Sequence, residues 1–280
     1  MKLIRFGEAG KEKPGVIMND TCYDVSAWFQ DYDEQFFEND GLARLEQVIS
    51  AQNLPVINVK RFGCPVKRPS KIVCVGLNYS DHAKETGAAI PSEPIIFMKA
   101  PTALTGPNDD IIIPRNSHKT DWEVELAVVI GKKTSYVEEA DALNYIAGYT
   151  ILNDVSEREF QLEHGGTWDK GKGCDTFAPV GPFMATREEI SDTNNLRLWL
   201  TVNGHKMQDS STSNLIFKIP FLVSYISRFM TLLPGDIIST GTPNGVGMAM
   251  RPQIFLKPGD VVELGIDGLG QSKQHVKASI

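Results

Sequence analysis

Asp121-Trp122-Glu123-Val124-Glu125-Leu126-Ala127-Val128-Val129-Ile130 attaches three acids to an apolar tail rich in β-branched residues. The tail predicts a strand, in which side chains two residues apart point to the same face, so Glu123 and Glu125 converge. Neighbouring carboxylates repel, and burying either is costly unless a cation compensates. An exposed strand end with both acids in water is the ordinary alternative. A second apolar run, residues 146–152, ends at Asn153-Asp154, so another acid can meet the pair around one ion. Oxygen ligands with no neighbouring His or Cys select a hard cation, Mg²⁺ or Mn²⁺ with Ca²⁺ possible, and disfavour zinc.

Outward from this stretch the signals are mostly β. Further strands are predicted over 71–75, 94–98, 110–113 and 237–240, without the regular strand-helix alternation of a Rossmann or barrel fold. Leu233-Pro234-Gly235-Asp236 is echoed by Lys257-Pro258-Gly259-Asp260; Pro-Gly suits the centre of a type II turn, and each turn should launch a strand. Helices are predicted over 138–145 and 216–230, the latter with Phe217, Phe221, Tyr225 and Ile226 on one side. At the N-terminus, residues 3–6 and 15–18 suggest a hairpin, and Leu42, Leu45, Val48 and Ile49 a helix. Pro55, Pro65 and Pro69 then punctuate the chain. The expected class is α+β, mostly β, with a small N-terminal α+β domain over 1–65 and a larger one over 66–280.

Three further segments carry chemistry. Residues 155–161 read as a short helix placing Asp154, Arg158 and Gln161 on one side, a donor-rich stripe suited to an anionic ligand if it is not a solvated face. In Asn78-Tyr79-Ser80-Asp81-His82-Ala83-Lys84-Glu85, Ser80 or Asp81 is placed to cap a helix on which His82 and Glu85 lie at i, i+3. A carboxylate holding one imidazole nitrogen leaves the other free to take a proton from water, although a surface His beside a Glu is the commoner meaning of the spacing. Lys170-Gly171-Lys172-Gly173 sets lysines among glycines, and residues 240–247, Thr-Gly-Thr-Pro-Asn-Gly-Val-Gly, could aim backbone N–H groups at a carboxylate. Both could equally be ordinary turns, and neither is a nucleotide loop.

Composition narrows the class. Of 280 residues 41% are hydrophobic and 22% charged, as in an ordinary globular chain. Lys and Arg number 28 against 35 Asp and Glu, a net charge of −7 that argues against a nucleic-acid partner. Cys22, Cys64, Cys74 and Cys174 lie far apart and read as reduced thiols. Residues 1–8 lack the apolar stretch of a signal peptide, and no stretch approaches the ~20 apolar residues of a membrane span, so a cytoplasmic protein with no membrane partner is expected.

Taken together, Gly76-x-Asn78-Tyr79-x-x-His82-x-x-Glu85, Glu123-x-Glu125, Asn153-Asp154, Lys172-Gly173 and Thr240-Gly241-Thr242-Pro243-x-Gly245-Val246-Gly247 resemble, in identity and order, the fumarylacetoacetate hydrolase family. The resemblance covers residues 71–280. It implies a mixed β-roll, a homodimer and a Mg²⁺ or Mn²⁺ site with Glu123, Glu125 and Asp154 as ligands. It also implies His82 with Glu85 as a water-activating dyad, Lys172 as a cationic partner of a 2-oxo acid substrate, Arg158 and Gln161 as substrate contacts, and Thr242 meeting the substrate carboxylate. The enzyme that names the family is similar except for a further Asp seven residues before the His; here that place is Val75. The chain is thus closer to the three-carboxylate branch of acylpyruvases, oxaloacetate decarboxylases and 2-oxo acid hydratases or isomerases. Arg5-Phe6-Gly7 and Lys13-Pro14-Gly15 are similar to members acting on 2,4-dioxo-3-deoxy sugar acids.

The resemblance implies metal-dependent hydrolysis of a 2,4-dioxo acid, an acylpyruvate or a deoxy sugar acid, to pyruvate and a second acid. A decarboxylase of oxaloacetate or a hydratase or isomerase of the same family is the enzymatic alternative. An ion-stapled protein that binds a sugar acid without turnover is the non-enzymatic one; it has no use for His82, Glu85 and Lys172 together. The Gly and two Pro of residues 84–94 further suggest a segment, 80–93, that orders as a lid over bound substrate.

Overall fold

The protein is described from a computed structural model covering residues 1–87 and 89–279. The described strands form two principal sheets. The larger runs, edge to edge, through strands Val56–Ile57, Thr21–Asp24, Lys13–Met18, Lys2–Phe6, Met184–Thr186, Ile146–Asn153, Val124–Ile130, Ile237–Ser239, Ile72–Gly76 and Ile95–Lys99, with Phe62–Gly63 branching from Lys2–Phe6. The smaller runs through His205–Ser211, Arg197–Val202, Val261–Ile266, Gly270–Ala278 and Ile111–Ile113. Every residue of Val124–Ile130 and Ile146–Asn153 is buried. These two strands pair antiparallel at the centre of the large sheet, and the small sheet packs across them. Strands covered on both faces read as unbroken apolar runs, which is why the opening stretch does. The fold is therefore the expected mixed, mostly β one, an open roll with no closed barrel.

Both Pro-Gly turns form. Gly235 and Gly259 have φ of +87° and +98°, the Asp236 and Asp260 amides bond back to the carbonyls of Leu233 and Lys257 at 3.0 Å, and strands follow at Ile237 and Val261. The N-terminal hairpin and a helix at Gly41–Ala51 are also present. Strand Lys2–Phe6 pairs with Met184–Thr186, so the large sheet continues from the first 65 residues into the rest. All four cysteines are free. No helix of the described residues is long and apolar enough to cross a membrane.

Some helix expectations need correction. The segment after Asp154 is not helical from 155: Ser156–Glu157 pairs with Thr120–Asp121 as a short strand, and the helix is Arg158–Leu162, capped by the Glu157 carboxylate accepting from the Glu159 amide. Sheet pairing claims the residues that local spacing gave to the helix, so Asp154 does not lie on it. Helix Ser80–Thr86 has Tyr79 at its N-cap with no side-chain cap bond, and the Asp81 carboxylate instead accepts from the His82 amide at 2.8 Å and from Ser210 and Asn214. Residues 139–145 form a 3₁₀ helix, and the last predicted helix shortens to Ile219–Ser227. The proposed lid segment includes Ala88, which lies outside the described residues.

Candidate active site

Antiparallel pairing of Val124 with Asn153 brings the start of one central strand beside the end of the other. Glu123, Glu125 and Asp154 therefore meet: one carboxylate oxygen from each lies within 4.8 Å of the others, and all three residues are buried. Around them stand cations. Lys172 Nζ, at the end of helix Asp169–Lys172, lies 2.6 Å from Glu123 Oε2 and 2.9 Å from Asp154 Oδ2. Arg158 Nη2 is 2.6 Å from Glu123 Oε1, its Nε 2.8 Å from Asp121 Oδ2, and its Nη1 donates to Gln161 Oε1 at 3.0 Å.

Lys99 was absent from the sequence expectations. Its Nζ is 2.6 Å from Asp154 Oδ1 and donates to the Val155 carbonyl at 3.0 Å, fully buried. The available signal is its phase: Phe97 and Lys99 are buried and Met98 between them is exposed, so this lysine occupies an inward position of its strand. Asp121, also unassigned from sequence, joins Arg158 to the glycine-rich loop by accepting from the Gly247 and Met248 amides at 2.7 and 3.1 Å.

The charges compensate unevenly. Burial raises the Glu123 carboxyl, but Lys172 and Arg158 outweigh it and bring it down to about 2. Glu125 has no ion-pair partner among the described residues: burial, then Asp154 and Glu123, push it well above the usual carboxylate range. Its Oε2 accepts from neutral donors, the Ser239 hydroxyl at 2.5 Å and the Gly241 amide at 2.9 Å. A compact, all-oxygen set with one uncompensated acid fits a hard divalent cation.

His82 Nδ1 stands 3.2 Å from Glu85 Oε2, so the i, i+3 pair forms the expected contact. The loop's amides do aim at carboxylates, and the carboxylates are the protein's own: Gly241 binds Glu125, Gly247 binds Asp121, and Gly245 donates to Glu85 at 2.9 and 3.1 Å. Of the nine residues expected from sequence, His82, Glu123, Glu125, Arg158, Gln161, Lys172 and Thr242 line one pocket of about 210 Å³. Glu85 stands behind His82, and Asp154 behind Lys172 with no exposed surface. The Thr242 hydroxyl donates to the Val124 carbonyl at 3.0 Å and accepts from Gln208 at 2.9 Å, so its proton is already committed. Val75, where a fourth acid would fall, also faces the pocket.

Known proteins share this chain's sequence pattern and fold. The family described as fumarylacetoacetate (FAA) hydrolase, C-terminal, matches residues 71–277. A Burkholderia ambifaria protein named as a presumed hydrolase is 50% identical over 280 residues, 99% of either chain. A 5-carboxymethyl-2-hydroxymuconate delta-isomerase from Mycobacterium smegmatis superposes with a TM-score of 0.80 at 34% identity, each chain covered in full. Maleylpyruvate hydrolase from Sphingobium sp. SYK-6, solved with manganese(II) and pyruvate, gives 0.83 at 29% identity, again over the full length of each.

Proposed function

Because the chain belongs to the fumarylacetoacetate hydrolase family, whose members are enzymes, we propose that it is a metal-dependent hydrolase cleaving the C–C bond of a 2,4-dioxo acid to pyruvate and a second carboxylic acid. The observation that carries this reading is the cluster of three buried carboxylates beside the His82–Glu85 pair, with Glu123, Glu125 and His82 lining one pocket. The manganese and pyruvate of the Sphingobium hydrolase support it.

Glu123, Glu125 and Asp154 would hold Mg²⁺ or Mn²⁺, which when bound supplies Lewis-acid polarisation of the substrate's 1-carboxylate and 2-oxo oxygens. Glu85 orients the imidazole through Nδ1, leaving Nε2 to take a proton from water as its oxygen attacks the 4-oxo carbon. The C3–C4 bond then breaks, its electron pair passing to C3 as the enolate of pyruvate. Lys172 places a fixed positive charge where that negative charge develops, and return to C3 of the proton His82 took from water completes pyruvate. Arg158 holds Glu123 and, through Gln161 Oε1, turns the Gln161 amide nitrogen into a donor for substrate.

The Mycobacterium isomerase favours a second reading, isomerisation of a 2-oxo acid through the same enolate without an attacking water. Decarboxylation of oxaloacetate also needs the enolate alone. Pyruvate release from a panel of 2,4-dioxo acids, with Mg²⁺ or Mn²⁺ and with EDTA, tests the proposal. Metal-dependent release is expected; no cleavage of any panel member would overturn it.

A further inference from the structure

We infer that the substrate's far end is an uncharged apolar acyl chain, not a second carboxylate or a polyol; this rests on the reading that the 2-oxo acid head sits at Glu123, Glu125 and Asp154. The pocket has two ends of different chemistry. At the acidic end the lysine and arginine among the described lining residues are Lys172 and Arg158, and both face the acidic cluster: Lys172 meets Glu123 and Asp154, Arg158 meets Asp121, Glu123 and Gln161. The rest of the wall is mostly apolar, with Leu77, Phe97, Leu162, Trp168 and Met248.

This wall is built into the fold. Trp168 meets Phe97 edge-on with ring centroids 5.2 Å apart, and Lys172 Nζ lies 4.9 Å from the Phe97 ring centroid. The indole lies so close over Gly76 that a Cβ there would come within 2.5 Å of it, so the glycine makes room for the ring. The apolar surface thus begins directly beside Lys172 at the acidic end. An acyl chain leaving C4 of the substrate would exchange water for this surface. A carboxylate against this wall would be desolvated with no lysine or arginine among Leu77, Phe97, Leu162, Trp168 and Met248 to meet it, and sugar hydroxyls against the same side chains would lose water without equivalent partners. The 5-carboxymethyl group named in the Mycobacterium isomerase's substrate is a tail this wall does not suit.

The test reads binding, not turnover. With Mn²⁺ present, calorimetry should show 2-oxohexanoate binding about tenfold or more tighter than 2-oxoglutarate or a 2-oxo-3-deoxy sugar acid. Leu162, 47% exposed at the end of its helix, accepts a charge without cost to the core. Leu162→Lys should therefore move the 2-oxohexanoate to 2-oxoglutarate ratio about tenfold toward the diacid. Equal or tighter binding of 2-oxoglutarate by the natural protein, an unchanged ratio in Leu162→Lys, or no binding of any of the three would overturn the inference. If the apolar preference holds while no 2,4-dioxo acid is cleaved, the inference stands and the hydrolase reading falls. Cleavage of a diacid or sugar acid in preference to an acylpyruvate would do the opposite, sinking the inference and leaving the hydrolase reading in place.

Discussion

The backbone amide of Gly245 donates to both carboxylate oxygens of Glu85, at 2.9 and 3.1 Å, across 160 residues of sequence. Glu85 in turn faces His82 Nδ1, so the loop sets the imidazole's orientation through one intervening carboxylate. Gly245 sits at φ +98°, and a Cβ there would come 1.9 Å from the Met207 carbonyl oxygen. Gly245→Ala should therefore displace the loop and release Glu85. Acylpyruvate kcat is expected to fall about 10- to 100-fold with KM changed far less, the range typical of losing a group that orients another. An unchanged kcat in the folded variant would remove Gly245 from the positioning of the dyad.

His82→Ala removes the group assigned to activate water. Acylpyruvate cleavage should drop about 10²- to 10⁴-fold, the usual worth of a positioned general base, while decarboxylation of oxaloacetate, which needs no attacking water, should suffer less. Equal losses in the two rates would mean that His82 positions substrate.

Glu125 is the acid of the cluster with no ion-pair partner among the described residues. Mn²⁺ at about 100 times its dissociation constant should stabilise the natural protein by about 2.7 kcal/mol, read as a rise in Tm. Glu125→Ala should fold, lose this rise, and lose metal-dependent pyruvate release. A full Mn²⁺ shift in the variant would show that the ion binds elsewhere.

Lys99 should matter for stability. Lys99→Met leaves the buried Asp154 with Lys172 as its remaining ion-pair partner, at a cost of about 3 kcal/mol in urea unfolding, the lower end for breaking a buried pair. A change below about 0.5 kcal/mol would show that the pair contributes nothing net.

The segment that carries the dyad offers a test of motion. Tyr225 Oη donates to Glu93 Oε2 at 2.7 Å, tying the far end of residues 80–93 to helix Ile219–Ser227. If the segment closes over substrate, hydrogen exchange across 80–93 should slow when oxalate is added to the Mn²⁺-loaded protein. Identical exchange with and without oxalate would mean that there is no lid.

What could be read from sequence alone was local and periodic. The apolar runs at 124–130 and 146–152 announced buried strands, the two-residue period put Glu123 and Glu125 on one side, and Pro-Gly fixed both turns because only glycine takes that backbone angle freely. The i, i+3 spacing of His82 and Glu85 was likewise complete within one helix. Tertiary structure decided everything that depends on strand order. It placed Asp154 beside Glu123 and brought in Lys99 from a strand 55 residues away. It turned the amides of residues 241–247 onto the protein's own acids. It also overruled the helix expected from residue 155, because Ser156 and Glu157 had a strand partner that local spacing could not reveal. The physical reason is the same in each case. A buried charge must find a partner, and which partner is near depends on how strands pair across the sheet, information that no window of neighbouring residues contains.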